Sequence, residues 1–365
     1  PGGMQTTAAL GTPFSRGAPA TPARATPSAP AAPYFPGAPA TPAPATPSVP
    51  SGPAPEPSTV RVLGFMPITQ SADSARLYKK PYTAIPQPSQ WAVWASGHGG
   101  YGVTNGDASA GSHERTSSNY GFAMGASALV TPETEIGVAV GRGYTGYELS
   151  DGFGKGDIDT LQAAIYGRTQ FEQAYVSASL GYAYHDVSTE RTLTVAGLDR
   201  FAANFVGHGV TGELEGGYGM GWFTPYAAVR VSSFRAPSYS ETTEAGQPTF
   251  ALDYDAGTTI AARTELGVRI EQRLELEDGA SLALVGGAAW AHAWGSDTEA
   301  NASFQALPGA RFTVVGAERS SDSLLVSAGA EVTLANGLSL GGSVGGEFAE
   351  DSRHVAGMAR LTYRW

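Results

Sequence analysis

Three short patterns carry residue types that could do chemistry. GGSVG at 341–345 matches G-x-S-x-G with Ser343 at its centre, and HGG at 98–100 has the composition of an oxyanion loop. A serine nucleophile of that kind needs a sharp strand-to-helix turn that lifts its hydroxyl clear of the sheet. Ser343 instead lies between Leu340 and Phe348 in an alternating stretch, on the same face as Ser339 and Glu347. That pattern predicts a strand and no hydrolase. GRGYTG at 141–146 matches G-x-G-x-x-G, yet Tyr144, Thr145 and Tyr147 continue a strand where a dinucleotide site needs a helix N-terminus. The six histidines show no metal-ligand spacing, and His98 and His292 read as strand-end or interfacial residues. No catalytic, cofactor-binding or metal-binding residue is expected.

A different kind of chemistry is written in the charges. Arg168, Glu213, Glu215, Arg230, Arg263, Glu265, Arg269, Glu271, Glu331, Glu347, Arg360 and Arg364 each alternate with apolar neighbours. Successive side chains of a strand point to opposite faces, so each strand puts its charges on one face and its apolar residues on the other. Ile260, Ala262, Thr264, Leu266, Val268 and Ile270 oppose Arg263, Glu265, Arg269 and Glu271. Tyr120, Phe122, Met124, Ala126, Ala128 and Val130 oppose Gly121, Ala123, Gly125 and Ser127. Leu324, Val326, Ala328, Ala330, Val332 and Leu334 oppose Ser327, Glu331 and Thr333. The chain ends on the same rule: Val355, Gly357, Ala359, Leu361, Tyr363 and Trp365 oppose His354, Ala356, Met358, Arg360, Thr362 and Arg364.

The elements that carry these faces begin at Trp91. Strands are predicted near 91–103, 117–130, 135–149, 156–169, 173–192, 205–220, 222–235, 257–273, 281–295, 322–335, 338–349 and 353–365. The even number suits a single-chain bacterial barrel. The longest apolar stretch, SLALVGGAAWAHAW at 281–294, falls short of a spanning helix. A membrane location therefore demands a closed barrel, the other structure that satisfies its own backbone in lipid. Aromatic pairs end the apolar bands, as in Tyr182 and Tyr184, Trp290 and Trp294, Tyr363 and Trp365. These are expected as interfacial girdles. Short connections at 131–134, 170–172 and 336–337 alternate with long polar ones at 104–116, 236–256 and 296–321, as periplasmic turns alternate with extracellular loops.

Ahead of the strands the chain changes character. Residues 1–58 are rich in Pro, Ala, Thr and Ser, and GAPATPARATPSAP at 17–30 returns as GAPATPAPATPSVP at 37–50. This is a linker, either extended polyproline II or plain low-complexity coil. In the transition at 59–90, SADSARLYKK at 71–80 reads as a short helix capped by Ser71 or Asp73 and closed by Pro81. The net charge of −11 argues against a nucleic-acid partner. The absence of Cys is compatible with export. The opening PGGMQTTAAL has no secretory signal, so a longer precursor is expected.

An ordered set of segments runs through the strands: WAVWASGHGGYG at 91–102, YGFAMGASALVTPETEIGVAVG at 120–141 and GDIDTLQAAIYGR at 156–168. It continues through LEGGYGMGWFTPYAAVR at 214–230, RTELGVR at 263–269, AAWAHAW at 288–294, LPGARFTVVGA at 307–317 and ARLTYRW. In this order and spacing, residues 91–365 resemble the C-terminal translocator domain of autotransporters, closest to alphaproteobacterial members. The resemblance implies an all-β, monomeric transmembrane antiparallel barrel of about twelve strands in the outer membrane of a Gram-negative bacterium. It implies export of a passenger that this chain lacks, and a helical segment of 59–90 inside the lumen. It also implies outer-membrane lipid, periplasmic chaperones and the barrel-assembly machinery as partners, the last reading Leu361, Tyr363 and Trp365. In the lumen the charges are expected to pair with one another and with water; the alternative is that Glu213, Glu215 and Glu331 meet Arg76, Lys79 and Lys80. The alternatives are a passive porin, or the anchor of a surface adhesin or esterase whose activity lies in the passenger.

The parity assignment has a direct test. Leu266→Arg or Val268→Arg should cost membrane insertion about 2–4 kcal/mol near the midplane, while Glu265→Gln should be nearly silent. Folding into lipid vesicles measures both, and equal sensitivity of the two faces would reject the assignment.

Overall fold

A computed structural model describes residues 90–106, 113–194, 197–294, 299–315 and 320–365. The linker at 1–58 and the helix expected at 71–80 lie outside these residues. The first half of the chain forms long strands: β1 (Trp91–Thr104), β2 (Arg115–Thr131), β3 (Thr134–Leu149), β4 (Gly154–Phe171), β5 (Ala174–Leu193), β6 (Asp199–Tyr218) and β7 (Phe223–Ala236). Three short strands follow, β8 (Tyr239–Ser240), β9 (Thr242–Ala245) and β10 (Leu252–Tyr254). Then come β11 (Gly257–Glu275) and β12 (Ser281–Trp294), and the pair β13 (Glu299–Phe304) and β14 (Leu307–Val315). The chain finishes with β15 (Asp322–Thr333), β16 (Leu338–Ala349) and β17 (Ser352–Arg364).

The long strands form one closed antiparallel ring of 12 strands, in the order β1 to β7, β11, β12, β15, β16, β17. The ring closes where β17 meets β1, with Trp94 opposite Thr362 and His98 opposite Met358. The strand bounds lie close to those predicted, apart from β6, which begins at Asp199 rather than near residue 205. The extra residues 199–204 pair with the end of β5, from Leu193 opposite Asp199 to Ser188 opposite Asn204. Tight connections are made where Asp and Gly supply left-handed backbone. Asp278 and Gly279, at φ 59° and 77°, turn β11 into β12, and Leu276 N–H donates to Ala280 O across them.

Exposure follows the period-two pattern. Leu266, Val268 and Ile270 are exposed on β11, as are Tyr120, Phe122, Met124 and Val130 on β2 and Val355, Leu361 and Tyr363 on β17. These faces form the outer band, and the opposite positions turn inward. On β2 the band runs from Val130 to Tyr120, about 33 Å along the strand and about 25 Å in height at the usual tilt. At its upper edge the outward Arg142, opposite Phe122, pairs with Asp159 at 3.1 Å, so the outer surface becomes polar there.

The two longest connections hold structure that periodicity did not reveal. β8, β10, β13 and β14 form a second, four-stranded sheet. The loop 237–256 folds back against the inward face of β4 to β7. Tyr239 stacks between Phe205 of β6 (4.4 Å) and Tyr254 of β10 (4.6 Å), beside the buried Ile158, Val187 and Phe234. The loop is pinned by a bidentate pair: Arg191 Nε donates to Glu241 Oε1 at 2.8 Å and its terminal nitrogen to Oε2 at 2.5 Å. Their side chains are 2% and 5% exposed. Glu241 also accepts from Leu252 N–H, and Arg191 donates to Phe250 O, so both ends of the loop are held. Burial pushes the Tyr239 and Tyr254 hydroxyls well above the ordinary tyrosine range, so both stay neutral donors.

Removing one member of a buried pair strands the other. Glu241→Ala should therefore loosen the 237–256 loop by about 3–5 kcal/mol, seen as faster amide exchange at residues 239–254. The barrel itself should keep its heat-resistant mobility on gels. Unchanged exchange in the loop would reject the anchoring role of this pair.

Candidate functional site

The inner wall of the ring is where the alternating charges meet. On the side of β5, β6, β7 and β11, Arg269 of β11 reaches over β7 to Glu215 of β6 through two bonds of 2.6 Å. The path crosses the inward positions Thr224, Tyr226 and Ala228 of β7, and the guanidinium passes over the Tyr226 ring. The Tyr175 hydroxyl donates to Glu215 Oε1 at 2.7 Å and accepts from Arg269 at 2.8 Å. Arg168 lies over the Tyr175 ring at 3.7 Å and Arg269 over the Tyr226 ring at 3.9 Å. Glu215 is 3% exposed, so this carboxylate is held entirely by protein partners.

Further toward the long loops, Glu213, Arg230 and Arg263 are directly opposed on β6, β7 and β11. Arg230 Nε donates to Glu213 at 2.6 Å. Arg263 donates to Glu265 at 3.0 Å and, across the inward faces of β12 and β15, to Glu347 of β16 at 2.7 Å. Ala289 and Ala291 of β12 and Ser323 and Leu325 of β15 line that crossing, and the two alanines leave room for the guanidinium. Ser323 donates to Glu347 at 2.9 Å. Two neighbouring arginines are thus balanced by three carboxylates.

Near the termini the wall is aromatic and basic. Trp94 Nε1 donates to the Tyr166 hydroxyl at 2.9 Å, and Arg360 lies over the Trp94 indole at 4.4 Å. The Tyr166 ring lies across Gly137, where a Cβ would come within 2.2 Å of it. Glu331 lies in the field of Arg273, Arg360 and Arg364. Arg273 stands 3.7 Å from Glu271.

Glu213, Glu215, Arg263, Glu265, Arg269, Glu271, Glu331, Glu347, Arg360 and Arg364 all occupy positions of the inward parity. The acid cluster offered to Arg76, Lys79 and Lys80 is not a cluster, however. Glu213 belongs to Arg230, Glu215 to Arg269, and Glu331 sits among arginines of the barrel. The contacts of residues 76–80 lie outside the described residues. Tyr175, Trp94 and Tyr166 were missed as inner-wall residues because aromatics at strand ends read as girdle. Their parity, opposite to that of the apolar face, was the available signal.

His98 also needs correcting. It is neither a strand end nor interfacial but sits mid-β1 on the inward face, opposite Gly121 and Met358. It shares a row with Ser343, yet Met358 stands between them, about 9.6 Å of sheet. No serine–histidine contact follows from that spacing. His292 does sit at an aromatic boundary, 4.4 Å from Trp294 and bonded to Asp322 at 2.9 Å. Leu361, Tyr363 and Trp365 share the outward face, with Tyr363 and Trp365 stacked at 5.6 Å.

A ring of this size with a polar, charge-paired interior suits passage or retention of a hydrated polypeptide. The model of the autotransporter beta-domain family matches residues 93–345. Among solved structures, the translocator domain of the autotransporter NalP from Neisseria meningitidis is similar at TM-score 0.62 and 15% identity, covering 76% of this chain and 89% of that one. The beta domain of the Bordetella autotransporter Brka is similar at TM-score 0.57 and 17% identity, covering 76% and 100%. At these identities the two structures attest the fold. No curated protein sequence matches the chain.

Proposed function

The chain belongs to the autotransporter beta-domain family, an outer-membrane translocator and anchor, and we propose that residues 59–90 seat inside its own lumen. Export of a passenger is the role typical of that family. The observation that supports the lumenal seat is the position of Gln90. Its carbonyl accepts from Leu129 N–H at 2.8 Å, and Trp91 exchanges both backbone bonds with Trp365 at 3.2 Å. The preceding segment therefore joins the barrel at the rim of the lumen, on the side of the short turns.

This reading favours a filled translocator over an open porin. Deleting residues 1–88 should raise single-channel conductance in planar bilayers several-fold. Unchanged conductance would mean that the segment does not fill the lumen.

The outward stripe Leu361, Tyr363 and Trp365 is the proposed mark read by the barrel-assembly machinery, with periplasmic chaperones carrying the chain to it. A last strand that has not yet closed against β1 offers unpaired backbone groups and an apolar face. A girdle residue matters to the finished barrel, whereas a recognition mark matters before the barrel exists. Deleting Trp365 should therefore depress assembly in cells far more than refolding of purified protein in detergent. Equal loss in both would leave Trp365 as a girdle residue alone.

A further inference from the structure

Two cations on the outer wall are matched by carboxylates: Arg142 by Asp159 at 3.1 Å and Lys155 by Glu190 at 3.3 Å. Arg235 of β7 is different. It is exposed on the outward face and makes no ion pair with a described residue. Its register places it in a polar row that crosses four strands. Tyr184 of β5 stands opposite His208 of β6, His208 opposite Arg235, and Arg235 opposite Thr258 of β11. All four side chains are exposed. Neighbouring strands lie about 4.8 Å apart, so His208 and Arg235 can reach one anion together.

His208 is held in place. The Tyr182 hydroxyl lies 2.8 Å from its Nδ1, the Tyr182 ring is stacked at 6.1 Å, and the Tyr184 ring meets it edge-on at 5.9 Å. With Nδ1 taken by Tyr182, Nε2 is the ring atom left for a further partner.

The height of the row decides what it meets. On β6 the apolar outward run ends at Val210, two residues below His208. On β7 Val229 and Val231 precede Ser233 and Arg235. Tyr182 and Tyr184 are the exposed aromatics that end the band on β5, and the next outward residue there is Asp186, opposite Val206. The row therefore stands where hydrocarbon gives way to headgroups on the side of the long loops. Being on the outer wall, it faces lipid and not the lumen.

A guanidinium fork beside an imidazole donor, flanked by hydroxyls, matches the geometry and charge of a phosphate. We propose that Tyr182, Tyr184, His208, Arg235 and Thr258 form a site on the outer wall for the phosphate of a lipid headgroup in the leaflet on the long-loop side. Arg235 supplies the permanent charge, His208 a second donor from Nε2, and the Tyr184 and Thr258 hydroxyls close the two ends. The site is separate from translocation and does not depend on what fills the lumen.

The test uses the full chain extracted from membranes into mild detergent, with bound lipid counted by native mass spectrometry. The probes are lipid A, which carries phosphate on a glycolipid, its dephosphorylated form, and inorganic phosphate. Heat-resistant mobility on gels shows that each variant is folded, and His208→Leu serves if Arg235→Gln fails to fold. Wild type should hold lipid A about tenfold more tightly than the dephosphorylated form, and either variant should lose about tenfold, the worth of one hydrogen bond to a charged group. Arg353→Gln removes the same charge from an exposed arginine whose row neighbours are Val103 and Phe348, and should bind as wild type. Equal binding of the two lipids, unchanged binding in Arg235→Gln and His208→Leu, or an equal loss in Arg353→Gln would overturn the site. Displacement of lipid A by inorganic phosphate at equal concentration would overturn lipid as its ligand.

Discussion

Everything in this molecule depends on the hydrogen-bonded seam between its first and last long strands. From Ala92 opposite Arg364 to Thr104 opposite Ser352, β1 and β17 pair in unbroken register. In lipid an open sheet edge would leave a row of N–H and C=O groups with nothing to bond, at several kcal/mol each. Closure removes both edges at once. It also forces the alternation: with every backbone group used in the wall, side chains have only two places to go, outward to hydrocarbon or inward to an enclosed space.

The enclosed space then has a problem of its own. Twelve strands make a ring wider than side chains alone fill, and charges placed inside must find partners in a medium less forgiving than water. The solution is a set of pairs that cross between strands that do not touch. Arg269 reaches Glu215 past β7, and Arg263 reaches Glu347 past β12 and β15. Alanines lie beneath both crossings, so Ala228 in the first and Ala289 and Ala291 in the second matter for what they leave open.

The strand extensions beyond the outer band serve a second purpose. Among the described residues, several of the most completely buried side chains (Arg191, Phe201, Leu252 and Val187) lie at the loop end of β4 to β7 rather than mid-barrel. Packing there resembles a soluble core, with stacked aromatics and a desolvated ion pair. It narrows the mouth on one side and gives the lumen a direction.

Much of this was legible in order along the chain. Period-two alternation is a local property, so the twelve strands, the outer faces of β2, β11, β15 and β17, and the inward parity of the ten charges could be read residue by residue. Tertiary structure alone decided which arginine meets which carboxylate, because those partners stand two or three strands apart and their meeting depends on register and on the size of the residues between. It alone placed His98 inside rather than at a boundary, since a polar ring among glycines reads the same in either setting. The inward-folded loop was likewise invisible: Arg191 and Glu241 are fifty positions apart, and no periodicity links them. Alternation determines which way a side chain points, but only the closed ring determines what it finds there.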